Sequence, residues 1–209
     1  TWNSATHEIP ERVILKNNIF PTMFQLLRDA QPEAEIGCIY EWDGIKYVID
    51  TLSTSYQEMV PPSKIYTDEM TKMSVKYIKE KKPVLGAFIF DNPDHVGHDA
   101  GHDTPAYYAN LKDLDGYIGQ IIQATKDAGI YENCIFIVTS DHGGIDHGHG
   151  GKTLEEINTP FIIAGKGVKK GGEFQESMMQ FDCAPTVLEI FGLEGPQVWV
   201  GRSMSQVFE

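Results

Sequence analysis

Two continuous apolar runs frame the middle of the chain. Residues 84–90 (Val84-Leu85-Gly86-Ala87-Phe88-Ile89-Phe90) and 134–139 (Cys134-Ile135-Phe136-Ile137-Val138-Thr139) are rich in β-branched and aromatic side chains. That is the pattern of strands buried on both faces of a parallel sheet. Between them Thr104 is a candidate N-cap with Pro105 at the first helical position. Tyr108, Leu111, Leu114 or Asp115, Ile118 and Ile121-Ile122 then recur at helical spacing up to a stop at Gly129. The strand–helix–strand order predicts a right-handed βαβ unit. A second helix is predicted over 67–81, with Met70, Met73 or Ser74, Tyr77 and Ile78 on one face. A third starts at Pro21-Thr22 and carries Phe24, Leu26 and Leu27 ahead of Arg28.

Residues 35–40 and 45–49 read as two strands joined by a turn at Trp42-Asp43-Gly44. Residues 53–63 read as loop, because Pro61-Pro62 fits neither a helix interior nor a central strand. A further strand at 160–164 and a last helix near 185–191, ended by Gly192, complete the pattern, while 1–19 are polar and loop-like. The expected fold class is α/β: a three-layer sandwich, mainly parallel sheet with helices on both faces, forming one domain over residues 1–209.

Composition narrows the partners. The chain has 209 residues, 17 basic and 30 acidic, for a formal charge of -13, with the basic residues scattered. Nucleic-acid binders show a basic stripe, so no nucleic-acid-binding surface is expected. A phosphorylated small molecule can still bind where metal ions supply positive charge locally. Cys38, Cys134 and Cys183 lie far apart and are odd in number, so they read as core thiols and not as a disulfide framework. No apolar run approaches the roughly 18 residues of a membrane span.

The chemistry is concentrated in residues 91–151, which hold six of the seven histidines among aspartates and glycines. Asp94 and His98 follow the first apolar run. Asp141 and His142 follow the second, and His149 lies shortly after. Open α/β sheets place ligands beyond the carboxyl ends of their strands, and imidazole with carboxylate is a usual donor set for zinc and related ions. The glycines around Asp94 and His98 suggest that a loop carries them. Three segments converging on one sheet edge is what a two-metal hydrolytic site needs. His95, His102 and His147 read as supporting or solvent-exposed residues and His7 as a surface residue; Lys152 and Lys166 could contact a phosphate, although solvated lysines are commoner.

Residues 92–101, with Pro93-Asp94 and Gly97-His98 followed by Gly101, resemble the Pro-Asp-x-x-Gly-His-x-x-Gly signature of the nucleotide pyrophosphatase/phosphodiesterase branch of the alkaline phosphatase superfamily. Leu114-Asp115-Gly116-Tyr117-Ile118-Gly119 is similar to the helix that follows it there. Ser140-Asp141-His142-Gly143 resembles the superfamily's Ser-Asp-His-Gly, His149-Gly150 its late His-Gly ligand, and residues 182–188 its Asp-x-x-Pro-Thr helix. The resemblance implies that Asp94, His98 and His149 bind one divalent ion and Asp141 and His142 a second. Zinc is the usual metal and manganese the alternative. It also implies attack on phosphorus by a threonine or serine hydroxyl, a covalent phospho-enzyme, and a phosphodiester, pyrophosphate or phosphomonoester substrate, commonly outside the cytoplasm.

The family's first strand, its aspartate ligand and its nucleophile precede everything matched here, and Thr1-Trp2-Asn3-Ser4 resembles the segment just after them. The chain therefore reads as the carboxyl-terminal portion of a catalytic domain that lacks its first strand. In this reading no catalytic nucleophile lies within the chain, the isolated chain is inactive, and its open sheet edges favour self-association. Asp50 could stand in for the missing aspartate, but its place in the chain order is wrong. Alternatives are a sulfatase, a two-metal phosphomutase of the same superfamily, and a non-catalytic metal-binding fragment or degenerate domain.

Overall fold

A computed structural model describes residues 20–60 and 67–209. The expectations for residues 1–19, including the Thr1-Trp2-Asn3-Ser4 resemblance and His7, and for Pro61-Pro62 lie outside the described residues.

Strand β1 (Ile36–Tyr40) is buried along its whole length because it is central in a parallel three-stranded sheet of order β2-β1-β3, with β2 at Tyr56–Met59 and β3 at Leu85–Ile89. Ile36 pairs with Leu85 and Gly37 with both Tyr56 and Gly86. The two-residue alternation of a strand sorts its side chains into two layers. Ile36 on β1, with Leu85 and Ala87 on β3, packs against Phe24 and Leu27 of helix α1 (Met23–Ala30). Ile39 and Phe88 pack instead against Met70 and Tyr77 of α2 (Thr67–Lys81). Helices thus cover both faces of the sheet, as expected. Burying Leu27, which is fully inaccessible, stabilises this arrangement by about 1.5–3 kcal/mol.

Helix α1 starts as its sequence predicts, with the Thr22 hydroxyl accepting from the Gln25 amide at 3.1 Å. The short helix α3 (Asp94–Ala100) follows β3, and the long helix α4 (Pro105–Asp127) is capped by Thr104. Ile121 and Ala124 of α4 pack on Ile78 of α2. Strands β4 (Ile135–Thr139) and β5 (Phe161–Gly165) flank the short helix α5 (Leu154–Ile157), and α6 (Cys183–Ile190) comes last.

Three expectations are corrected. Residues 45–49 are not a strand: Asp43–Tyr47 is a 3-10 helix. Both edges of β1 are taken by β2 and β3, which leaves no place for a hairpin partner, and Ile45 and Ile49 reach the core at helical spacing. Residues 53–63 are not all loop, because Tyr56–Met59 is a strand whose polar Gln57 and Glu58 suit its edge position. Finally, β4 pairs antiparallel with β5, and among the described residues it makes no ladder with β3. The expected βαβ unit is therefore not closed by direct pairing of its two strands.

Candidate metal centre

The ends of β3 and β4 deliver the acidic and histidine segments to one place. Beyond β3 the Asp91 amide donates to the buried Glu41 carboxylate at 2.8 Å, and α3 begins at Asp94. A helix, not the expected loop, carries Asp94 and His98. Their spacing of four puts both on one face, and His98 Nε2 lies 3.2 Å from Asp94 Oδ2. The loop reading rested on Val96-Gly97; glycine stands inside this helix because a Cβ there would come within 2.3 Å of the His102 ring.

His149 arrives from the loop after β4. Residues 145–148 form a tight turn, with the Ile145 amide donating to the Gly148 carbonyl at 2.9 Å and the Gly148 amide returning to Ile145 at 3.0 Å. Past that turn, His149 Nε2 stands 3.6 Å from Asp94 Oδ1. One donor atom from each of Asp94, His98 and His149 lies within 4.8 Å of the others. Donors bound to a common tetrahedral ion at ~2.0 Å would stand roughly 3.3 Å apart, so this set fits a cation such as zinc. Two further details favour that fit. Asp94 Oδ1 is buried and has no hydrogen-bond partner among the described residues. His98 Nδ1 donates to the His147 carbonyl at 2.8 Å, which leaves the Nε2 lone pair free to face the aspartate.

Asp141 and His142 sit directly after β4 on the same side. The His142 ring stacks on His149 with centroids 3.8 Å apart, and its Nδ1 donates to the Gly143 carbonyl at 2.7 Å. His142 Nε2 is 3.8 Å from the exposed Asp141 carboxylate. The second candidate pair therefore adjoins the first; Asp141 is turned to solvent, while His142 is no more exposed than the Asp94 group.

Glu156 ties the loop in place. Its carboxylate accepts from the Gly151 amide at 2.7 Å, the Thr153 amide at 3.2 Å and the Thr153 hydroxyl at 2.8 Å, while its carbonyl takes the Gly143 amide at 2.8 Å. The Thr153 hydroxyl, followed by the backbone donors, holds its carboxyl below the ordinary range. Asp91 is a site neighbour that the sequence reading passed over. Burial, reinforced by the nearby Asp94 and Asp141 charges and opposed by His95 and His98, raises its carboxyl. Its signal in the sequence was its place immediately after an apolar strand. Asp50 does not join the site. It is buried among the Ser53 hydroxyl at 2.7 Å and the Leu52 amide at 3.0 Å, as a turn-capping residue. His95 pairs with Asp99 at 3.2 Å on an exposed face, and Lys166 donates to Asn133.

Residues 37–179 match the sequence model of the type I phosphodiesterase / nucleotide pyrophosphatase family. The chain belongs to that family. Among curated relatives of this phosphodiesterase-family chain, the human ectonucleotide pyrophosphatase/phosphodiesterase family member 5 is 29% identical over 103 residues, 49% of this chain and 21% of the relative. A 2,3-bisphosphoglycerate-independent phosphoglycerate mutase of Acetivibrio thermocellus is 27% identical over 175 residues, 81% of this chain and 32% of the mutase. The crystal structure of a putative sulfatase from Bacteroides thetaiotaomicron superposes with a TM-score of 0.71 at 16% identity, covering 90% of this chain and 56% of the sulfatase. That likeness shows the shared α/β fold. The family chain spans about a fifth and a third of the lengths of the two curated relatives. Among its described residues no helix is long and apolar enough to cross a membrane.

Proposed function

We propose that this chain is the metal-binding, carboxyl-terminal portion of a catalytic domain that hydrolyses phosphodiester, pyrophosphate or phosphomonoester bonds of small molecules. The single observation that carries the reading is the convergence of Asp94, His98 and His149 around a buried carboxylate oxygen with no hydrogen-bond partner among the described residues. In this reading they hold one divalent ion, while Asp141 and His142 contribute to a second. Such ions lower the pKa of an attacking hydroxyl or water and neutralise charge on the phosphoryl oxygens when bound. The chain's own contribution is to orient the donors. The His147 and Gly143 carbonyls fix the His98 and His142 tautomers, and Glu156 anchors the loop that carries His149.

The attacking hydroxyl, in this reading, belongs to a segment outside residues 1–209, as the chain's small share of its relatives' lengths supports. An extracytoplasmic setting is supported by the ecto- designation of the human relative. The sulfate-ester alternative has sulfatase relatives in sequence as well as in fold, but the family match over residues 37–179 favours phosphorus.

The test is metal content by mass spectrometry of the purified 209-residue chain beside His98→Ala and His149→Ala, with turnover of bis(p-nitrophenyl) phosphate and p-nitrophenyl sulfate. The expected result is near-stoichiometric zinc, lost in both variants, and no turnover by the isolated chain. Failure to bind zinc after its addition would sink the metal reading. Robust phosphodiesterase turnover would refute a nucleophile outside the chain.

A further inference from the structure

His102 lies outside the proposed ligand set, yet its side chain is only 6% exposed. Three observations surround it. Its Nδ1 meets the Asp146 carbonyl at 3.0 Å, and its own amide donates to that carbonyl at 2.6 Å, so one residue of α3's exit grips one residue of the loop after β4 twice. Its ring fills the space left by two glycines from the two segments: a Cβ on Gly97 would come within 2.3 Å of Nε2, and a Cβ on Gly144 within 2.2 Å. Its Nε2 stands 3.8 Å from Asp94 Oδ1, the buried oxygen that His149 also faces. The outer side of the ring is covered by Tyr107, with centroids 5.3 Å apart.

We propose that His102 is a positioning residue. It is the wedge and double tether that, beside the reciprocal His98–His147 bonds, sets the distance between α3, which carries Asp94 and His98, and the loop that carries His142 and His149. The inference rests on the metal-site reading above. The donors come from segments about 50 residues apart in sequence, as the 49 between His98 and His147 shows, so their spacing needs a rigid cross-link. Helix α3 is a single short element, and the loop's own turn fixes only residues 145–148. His102 connects the two with hydrogen bonds at one end of the ring and close packing at the other. It also accounts for glycine at both 97 and 144, where any side chain would displace the ring.

The experiment measures zinc affinity by titration calorimetry on the full 209-residue chain, with His102→Ala, His102→Asn and Gly144→Ala. His102→Ala is expected to bind zinc about 10–100-fold more weakly, the range for losing a group that orients a ligand. Gly144→Ala should follow it, because it expels the ring. His102→Asn should recover part of the loss, since its side-chain amide can still donate to Asp146. The visible absorption of the cobalt(II)-loaded His102→Ala chain is expected to match wild type, because the coordinating atoms are unchanged. A lost or shifted cobalt band would overturn the proposal by making His102 a ligand. Unchanged zinc affinity in folded His102→Ala would overturn it as well. Amide exchange of the metal-free chain decides the tether without any ion. Ile145 and Gly148 should exchange at least ~10-fold faster in His102→Ala or, if that variant does not fold, in His102→Asn, and unchanged protection would overturn the proposal. Wild type that binds no zinc would sink the metal-site reading alone and leave the exchange result to judge His102.

Discussion

His98 and His147 exchange hydrogen bonds in both directions. The Nδ1 of His98 meets the carbonyl of His147 at 2.8 Å, and the Nδ1 of His147 meets the carbonyl of His98 at 3.0 Å. The His98 carbonyl lies in the last turn of α3, where main-chain acceptors lack helical partners, so His147 caps the helix while its own carbonyl orients the His98 ring. His147→Ala keeps the main-chain acceptor for His98 but removes the returning bond. We expect zinc affinity to fall by about 10-fold, at the lower end for ligand-orienting groups, with part restored by His147→Asn. Titration calorimetry checks this, and equal affinity in all three chains would show that the loop's main chain suffices.

Glu156 gives a pH prediction with a defined sign. Its carboxyl is held below the ordinary range by the Thr153 hydroxyl and by the Gly151 and Thr153 amides. A depressed folded-state value means that its contribution is complete above the unfolded glutamate value of about 4.3 and is lost as the pH falls through the folded value. Glu156→Gln should therefore be less stable than wild type at pH 7, and the difference in melting temperature should shrink as the pH approaches ~3.5. A difference that stays constant over that range would mean the carboxylate's hydrogen bonds contribute nothing specific to its charge.

Cys38 should be chemically silent in the folded chain. It is fully inaccessible in β1, and burial pushes its thiol up to about 12. At pH 8 roughly one thiol in ten thousand would then be thiolate, the reactive form. Iodoacetamide labelling followed by peptide mass spectrometry should find Cys38 modified only after denaturation. Labelling at the rate of an unfolded cysteine would show that β1 opens readily.

Leu27 joins α1 to the sheet face lined by Ile36 and to Phe191 and Leu193 beyond α6. Truncation to alanine removes buried methyl groups and leaves a cavity, at a cost of about 2–5 kcal/mol. Urea denaturation of Leu27→Ala should show an unfolding free energy lower by that amount, seen as a lower midpoint at an unchanged slope. A loss under ~1 kcal/mol would mean that the surrounding helices close over the gap.

The legible parts of this fold were those whose signal is local. Helix α4 could be read from Thr104, Pro105 and its repeating apolar positions, and β3 and β4 from their unbroken apolar runs, because capping and periodicity act over a few residues. Ile45–Ile49 misled because apolar residues beside an Asp-Gly pair suit a hairpin, and only the occupancy of both β1 edges excludes it. Tyr56–Met59 was hidden by Gln57 and Glu58, which an edge strand accepts. Asp94–Ala100 was hidden by Gly97, whose missing side chain answers to a ring five residues on and to no local backbone need.

The sequence by itself determined the α/β class, the helices α1, α2, α4 and α6, the strands β1, β3, β4 and β5, and the set of acidic and histidine segments that follow the apolar strands, since each is written in neighbouring residues. Only the tertiary structure decided which of six clustered histidines do what. His98 and His149 face Asp94, His142 stacks on His149, His147 clasps His98, His102 is buried as a wedge and His95 turns to solvent. The His147 and His102 assignments depend on contacts between residues 49 and 44 positions apart, made when the ends of two strands are brought together, and no periodicity along the chain encodes a distance of that kind.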